Sequence, residues 1–152
     1  QDFGQLREWS EKRELDWDLL EDEKHSHLQA FVKELLTIYK KYPAMYELDD
    51  HPEGFEWINP NDGYRSIFSF VRHSKTGRNS LLFVCNFTPM ARPVGVPKKK
   101  KYTLLLNSDD AKFGGEGTER PTVYQAEKSE CDGRPYSFAY ELPPYGVAVF
   151  KF

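Results

Sequence analysis

Long hydrophobic runs are missing from this chain: no stretch approaches the ~20 apolar residues of a membrane-spanning helix, and no signal peptide is visible. Cysteine is almost absent. The two that occur, Cys85 inside an apolar run and Cys131 in a Cys-Asp-Gly turn, form no disulfide framework and have no metal-ligand spacing, which points to a reducing, cytoplasmic setting. A surplus of one charge is lacking as well. With 21 basic and 24 acidic residues the formal net charge is -3, so the overall balance calls for neither nucleic acid nor an anionic membrane. The basic run Lys98-Lys99-Lys100-Lys101 has no stacking platform beside it and reads as a solvated turn. What remains is a chain that is 39% hydrophobic and 15% aromatic, too rich in packing residues for disorder despite its 30% charge. At 152 residues it allows one domain plus an appendage.

Residues 64–88 organise the rest. Tyr-Arg-Ser-Ile-Phe-Ser-Phe-Val-Arg-His and Ser-Leu-Leu-Phe-Val-Cys-Asn-Phe-Thr flank a polar connection containing Gly77, the pattern of a β-hairpin. In the second strand one parity holds Leu81, Phe83, Cys85 and Phe87, and the other holds Leu82 and Val84. A strand with one wet face would alternate, so this one is expected at the centre of a sheet, with another sheet on one side and a helix or neighbouring domain on the other.

The first 23 residues carry Phe3, Trp9, Trp17, Leu19 and Leu20 without sustained periodicity, an irregular segment with aromatic anchors. A helix is expected over residues 26–42. Ser26 with Gln29 resembles a capping box, Leu28, Phe31, Val32, Leu35, Leu36, Tyr39 and Tyr42 follow at helical spacing, and Pro43 ends it. An isolated helix of this length is marginal, so its stripe must pack on something. Short apolar stretches then follow at 55–58, 102–106, 122–125, 136–142 and 147–152, separated by Asn-Pro-Asn-Asp-Gly, Gly-rich and Pro-Pro-Tyr-Gly turns. Six or seven strands at this spacing define a mainly β chain, an antiparallel β-sandwich preceded by one amphipathic helix.

The residues give little chemistry. Of the four histidines, His25 and His27 are two apart and diverge on a helix, while His51 and His73 fall in a loop and at a strand end, so no metal pair forms. Asp49-Asp50 and Asp109-Asp110 sit in turns rather than on separate rigid elements. Gly115-Glu116-Gly117 lacks the third glycine and the helix of a dinucleotide fingerprint, and no nucleophile elbow, phosphate loop or zinc-helix motif occurs. No cofactor is implied.

In order along the chain stand Phe3-Gly4-Gln5, Glu8-Trp9, Leu15-Asp16-Trp17, Pro43-Ala44, Glu47-Leu48-Asp49 and Gly54-Phe55-Glu56-Trp57. Asn86-Phe87-Thr88-Pro89, Leu106-Asn107-Ser108-Asp109, Gly114-Gly115, Gly133-Arg134-Pro135-Tyr136-Ser137 and Leu142-Pro143-Pro144 follow. This succession resembles the C-terminal portion of bacterial 1,4-α-glucan branching enzymes of the α-amylase superfamily, although Asp2 stands where a glutamate is usual.

The resemblance implies that residues 1–43 are the last loop and closing helix of a catalytic (β/α)8 barrel, and that 44–152 form a C-terminal all-β domain. It implies a retaining glycosyl transfer onto glycogen or linear α-1,4 chains, forming α-1,6 branches. Such transfer needs two carboxyl groups about 5 to 5.5 Å apart, and in the family these lie on earlier barrel strands, upstream of Gln1. The chain begins at Gln1 without a methionine, as a portion of something larger would, and alone it is expected to be inactive and structural. Gln5, Glu8 and Trp9 are the candidate glucan-binding residues, since an indole stacks on a sugar face while amide and carboxylate groups bind hydroxyls; the alternative is that Trp9 and Trp17 pin the loop. Partners are then the missing barrel and α-glucan, and the helix stripe lies either on the sandwich or against a second copy of the chain. The competing functional reading is a glucan-binding sandwich with Tyr64, Tyr124, Tyr136 and Tyr145 as its platform.

Overall fold

The computed structural model describes residues 2–89 and 94–152; Gln1 lies outside them. Helix α1 (Glu23–Lys41) is followed by β1 (Phe55–Asn59), β2 (Ile67–Arg72), β3 (Leu81–Asn86), β4 (Val94–Val96), β5 (Lys101–Asn107), β6 (Val123–Gln125), β7 (Tyr136–Phe138) and β8 (Val147–Lys151). The larger sheet runs β1-β2-β3-β8-β5-β6 and the smaller is β4-β7, every pairing antiparallel. This is the expected mainly β architecture with one helix. No helix among the described residues is long and apolar enough to cross a membrane.

The β2–β3 hairpin forms in unbroken register from Ile67↔Asn86 to Arg72↔Leu81. Its pleat divides the apolar residues as the two-faced pattern requires. Leu82 and Val84 point inward with Val71, Tyr102, Ala148 and Phe150, and meet Val94, Val96 and Phe138 of the smaller sheet. Leu81 points outward, where it packs with Leu106 and Val149 against Ile38, Tyr42 and Ala44. The helix therefore finds its partner on the sandwich itself. Arg72 fastens that contact, donating to Ala44 O (3.4 Å) and Met45 O (3.3 Å) and pairing with Asp49.

Four expectations need correction. The helix starts three residues earlier than its apolar stripe suggests: Asp22 caps it by accepting from Lys24 N at 2.8 Å, and Ser26 lies inside it, donating to Glu23 O. A short polar N-cap before Glu23 satisfies an orphan N–H that the apolar stripe cannot register. Trp17–Glu21, read as irregular, is a 3-10 turn leading into that cap. The stretch 136–142 is not one strand, because pairing ends at Phe138. Finally, β4 went unread, since Val-Gly-Val between two prolines looks like a loop. Gly95 is needed there, because a Cβ would lie 2.3 Å from Cys131 O. The terminal strand β8 sits at the centre of the larger sheet, between β3 and β5.

Candidate functional site

The N-terminal segment folds back on α1 through aromatic contact. Phe3 is buried and stacks on Trp17 at 5.4 Å, and its carbonyl accepts from His25 Nδ1 at 2.6 Å. Gln5 braces the loop: its Oε1 accepts from Asp16 N (3.1 Å), and its Nε2 donates to Arg7 O (3.4 Å). Arg7 pairs with Asp16 and Arg13 donates to Glu8 O. The resulting cleft, about 160 Å³, is lined by Phe3, Gln5, Arg7, Trp9 and Leu15 along with Asp2. Gln5 and Trp9 thus come together, and Glu8 lies outside the lining. The two indoles differ. Trp17 pins the loop, whereas Trp9 is 73% exposed and pins nothing.

Several polar clusters invite a chemical reading that their burial removes. Glu56 Oε2 accepts from His73 Nε2 at 2.9 Å and His73 Nδ1 faces Ser80 Oγ at 3.0 Å, the ordering of a nucleophilic triad. Ser80 is only 1% exposed, and Arg134 holds the other Glu56 oxygen at 2.9 Å. No substrate reaches that hydroxyl, so the chain of bonds ties strands β1 and β2 to the segment before β7. Asp132 is a second such group. It pairs with Arg65, accepts from Gly95 N (2.8 Å) and from Asn59 Nδ2 (3.3 Å), and thereby joins the two sheets. Burial alone would raise its carboxyl pKa, but Arg65, Gly95 N–H and Asn59 overcome that and hold it below the usual carboxylate range. Among the described residues no cluster of metal-ligating side chains occurs.

The motif words also prove structural. Buried Asn86 donates to Pro143 O (3.0 Å) and accepts from Thr88 N and Thr88 Oγ1, closing the end of β3 against the Pro143 turn. Asn107 accepts from Asp109 N, Ser108 Oγ accepts from Val147 N, and Asp109 accepts from Glu116 N. These residues build turns at strand ends.

The largest uncommitted feature is an aromatic surface on the outer face of β1, β2 and β3, continuing through Phe83 from the ground that α1 covers. Phe70 and Phe83 stack at 4.9 Å and 6°, Phe55 stacks on Phe70 at 5.2 Å, and Trp57 meets both Phe55 and Phe70 edge-on. Phe68 and Phe87 form an edge-to-face pair at 5.5 Å on the same face. Phe55, Trp57, Phe68 and Phe87 remain 36 to 62% exposed. Parity could have marked this face, since Phe68 and Phe70 on β2, and Phe83, Cys85 and Phe87 on and just after β3, share it at two-residue spacing. The four tyrosines divide. Tyr124 and Tyr136 pack against the core while Tyr64 and Tyr145 are exposed.

Two antiparallel layers with a helix laid on the outer sheet, and polar networks that all serve turns and sheet junctions, define the class of helix-flanked β-sandwich domains. Solved structures agree at the level of the fold: an isomaltulose synthase from Klebsiella superposes with a TM-score of 0.54 at 16% identity, covering 82% of this chain and 17% of that one. A trehalulose synthase gives 0.52 at 17%, covering 82% and 18%. The chain belongs to the alpha-amylase C-terminal all-beta domain family, whose sequence profile matches residues 57–152. It is 50% identical to a 1,4-alpha-glucan branching enzyme from Butyrivibrio fibrisolvens over 155 residues, covering 100% of this chain and 24% of that protein. A branching enzyme from Geobacillus stearothermophilus is 40% identical over 99% of this chain and 24% of its own length. The chain thus spans about a quarter of the curated relatives it matches.

Proposed function

We propose that this chain is the portion of a cytoplasmic 1,4-α-glucan branching enzyme that follows the catalytic strands. In that reading residues 1–43 complete the barrel and 44–152 form the β-domain that braces it. The whole enzyme cleaves an α-1,4 bond of a linear glucan by retaining transfer and joins the segment to a 6-hydroxyl; this portion contributes no catalytic carboxylate. Gln5 and Trp9 stand at the barrel's substrate side, with the free Trp9 ring available to a sugar face and Glu8 beside it.

The observation that carries the bracing role is the uncovered aromatic face. Aromatic side chains bury 150–250 Å² each, so four that are one-third to two-thirds exposed present on the order of 400 Å² of apolar surface. That is about half of the ~800 Å² each partner contributes to a stable free complex. A face of this size is too small to hold a second copy of the chain. It suffices for a domain tethered in the same polypeptide, where effective concentration replaces area. Its composition selects the same occupant: Phe55, Phe68, Phe70, Phe83 and Phe87 offer no hydrogen bonds to a sugar's hydroxyls.

The test places this chain in the Butyrivibrio fibrisolvens relative in exchange for the matching quarter. Branch formation in linear α-1,4-glucan is expected from the chimera and not from the 152-residue chain alone. Trp57→Ser with Phe68→Ser should lower the chimera's melting temperature by several degrees more than it lowers that of the isolated chain, in which the two rings are 45% and 39% exposed. A chimera as stable with the double change as without it sinks the bracing role, and branching by the isolated chain sinks the division of labour.

A further inference from the structure

We infer that the cleft between β6 and β7 is an α-glucan-binding site separate from the N-terminal loop, an inference that rests on the reading of this chain as part of an α-glucan enzyme. The cleft opens where the chain leaves the larger sheet and crosses to the smaller one. It holds about 410 Å³, within the 300–1,000 Å³ range of small-molecule sites, whereas the loop cleft at Trp9, about 160 Å³, falls below it.

Its floor is aromatic and fixed. The Tyr124 ring rests against Phe138 (5.3 Å), Tyr140 (5.3 Å) and Phe150 (5.7 Å), so its orientation is set by the core while one side stays accessible. Its rim is polar and free. Glu127 and Ser137 exchange two backbone hydrogen bonds, Glu127 N to Ser137 O at 2.9 Å and Ser137 N to Glu127 O at 3.2 Å, which hold the two residues side by side at the opening. The Glu127 carboxylate and the Ser129 and Ser137 hydroxyls make no hydrogen bond or ion pair within the described residues. Gln125 Nε2 is engaged with Lys100 O and Ala126 O, both at 3.3 Å, which leaves its Oε1 free to accept.

A rigid aromatic floor with an acceptor carboxylate, an amide oxygen and two hydroxyls at the rim suits a neutral polyhydroxylated ligand. The ring takes the apolar face of a pyranose and the rim takes its hydroxyls. Phosphates and other anions are disfavoured because the charged group lining the cleft is Glu127. Among the described residues Glu127 is the one carboxylate in the lining and has no second to pair with it, so the site anchors a chain rather than transforming it.

The 152-residue chain is tested by native electrophoresis in glycogen, with galactomannan as the control polymer, and by titration with maltoheptaose. Glycogen-specific retardation is expected. Glu127→Ala with Ser129→Ala, both exposed changes that leave the melting temperature in place, should weaken maltoheptaose at least about tenfold by removing a charge-assisted and a neutral hydrogen bond. Glu130→Ala, an exposed carboxylate outside the lining, should bind as the parent does. No retardation, or retardation that survives the double change, overturns the assignment. The chimera keeps this failure apart from that of the parent reading: branching with no retention removes only the cleft, and retention without branching removes only the enzymatic reading.

Discussion

Replacing Asp132 by alanine should cost about 3 kcal/mol of folding stability. The carboxylate is buried at the junction of the sheets, where it pairs with Arg65 and accepts from Gly95 N and Asn59 Nδ2. Removing one member of a buried pair costs about 3 to 5 kcal/mol where the remaining charge has no other partner. Arg65 keeps one, Asp62, whose Oδ2 lies 2.5 Å from Arg65 Nε, and this lowers the penalty. The Gly95 N–H loses its acceptor in a place water reaches poorly, which costs about 1 to 3 kcal/mol. For a chain of this size about 3 kcal/mol corresponds to a melting shift of roughly 6 to 12 °C. Asp132→Asn, which retains an acceptor oxygen for Gly95, should lose about half as much. The assay is thermal and urea denaturation followed by circular dichroism, on the parent and both variants, across pH. Because the folded carboxyl titrates below its unfolded value near 3.9, its contribution is fully present above that value and is lost as pH falls through the folded one. The parent should therefore destabilise more steeply than Asp132→Asn below about pH 4. A loss under about 1 kcal/mol for the alanine variant, or parallel acid limbs, would refute the claim that this pair holds the sheets together.

Ile38→Ala, at a site 4% exposed between α1 and the sheet, should cost about 2 to 5 kcal/mol and make α1 the first segment cut in limited proteolysis; uniform cleavage would mean that the helix is not held there. Asn86→Ala leaves the Thr88 N–H and the Pro143 carbonyl without their buried partner and should cost about 2 kcal/mol in urea titration, much more than Asn61→Ala in an exposed turn. Burial pushes the Cys85 and Cys131 thiols up, and Asp132 adds to the effect at Cys131, so both should react with maleimide at neutral pH well below the rate of a free thiol. Sedimentation of the 152-residue chain should show a monomer whose mass is independent of concentration; a dimer that dissociates on Trp57→Ser would mean that the aromatic face is large enough to join two copies.

Much of the fold was legible because local patterns and tertiary demands coincide. The apolar residues on both parities of β3 already required two covered faces, and Leu82 and Leu81 fill those two roles. The stripe on α1 required a partner, and Pro43 ended the helix just past Ile38, which packs with Tyr42 on the sheet. The site was less legible. Gln5 and Trp9 share a cleft, but the amide is engaged in holding the loop and Glu8 lies outside the lining. The Glu127–Ser137 opening joins residues on two segments, neither of which carries a motif.

By itself the sequence determined what short-range physics can express: a β-rich chain with one amphipathic helix, a hairpin at its centre, scarce cysteine without a framework, and an ordered set of turn words that resemble one family. Tertiary structure alone decided that the last strand is central rather than peripheral, that Val94–Val96 between prolines pairs with β7, and that α1 lies on β3, β5 and β8. It also decided which aromatics stay wet. The reason lies in the kind of interaction that sets each outcome. Periodicity and turn chemistry act between neighbours in the chain, whereas Gly95 against Cys131, Asp132 against Arg65 and Phe70 against Phe83 are brought together by closing long loops, and nothing in either partner's local sequence records the other.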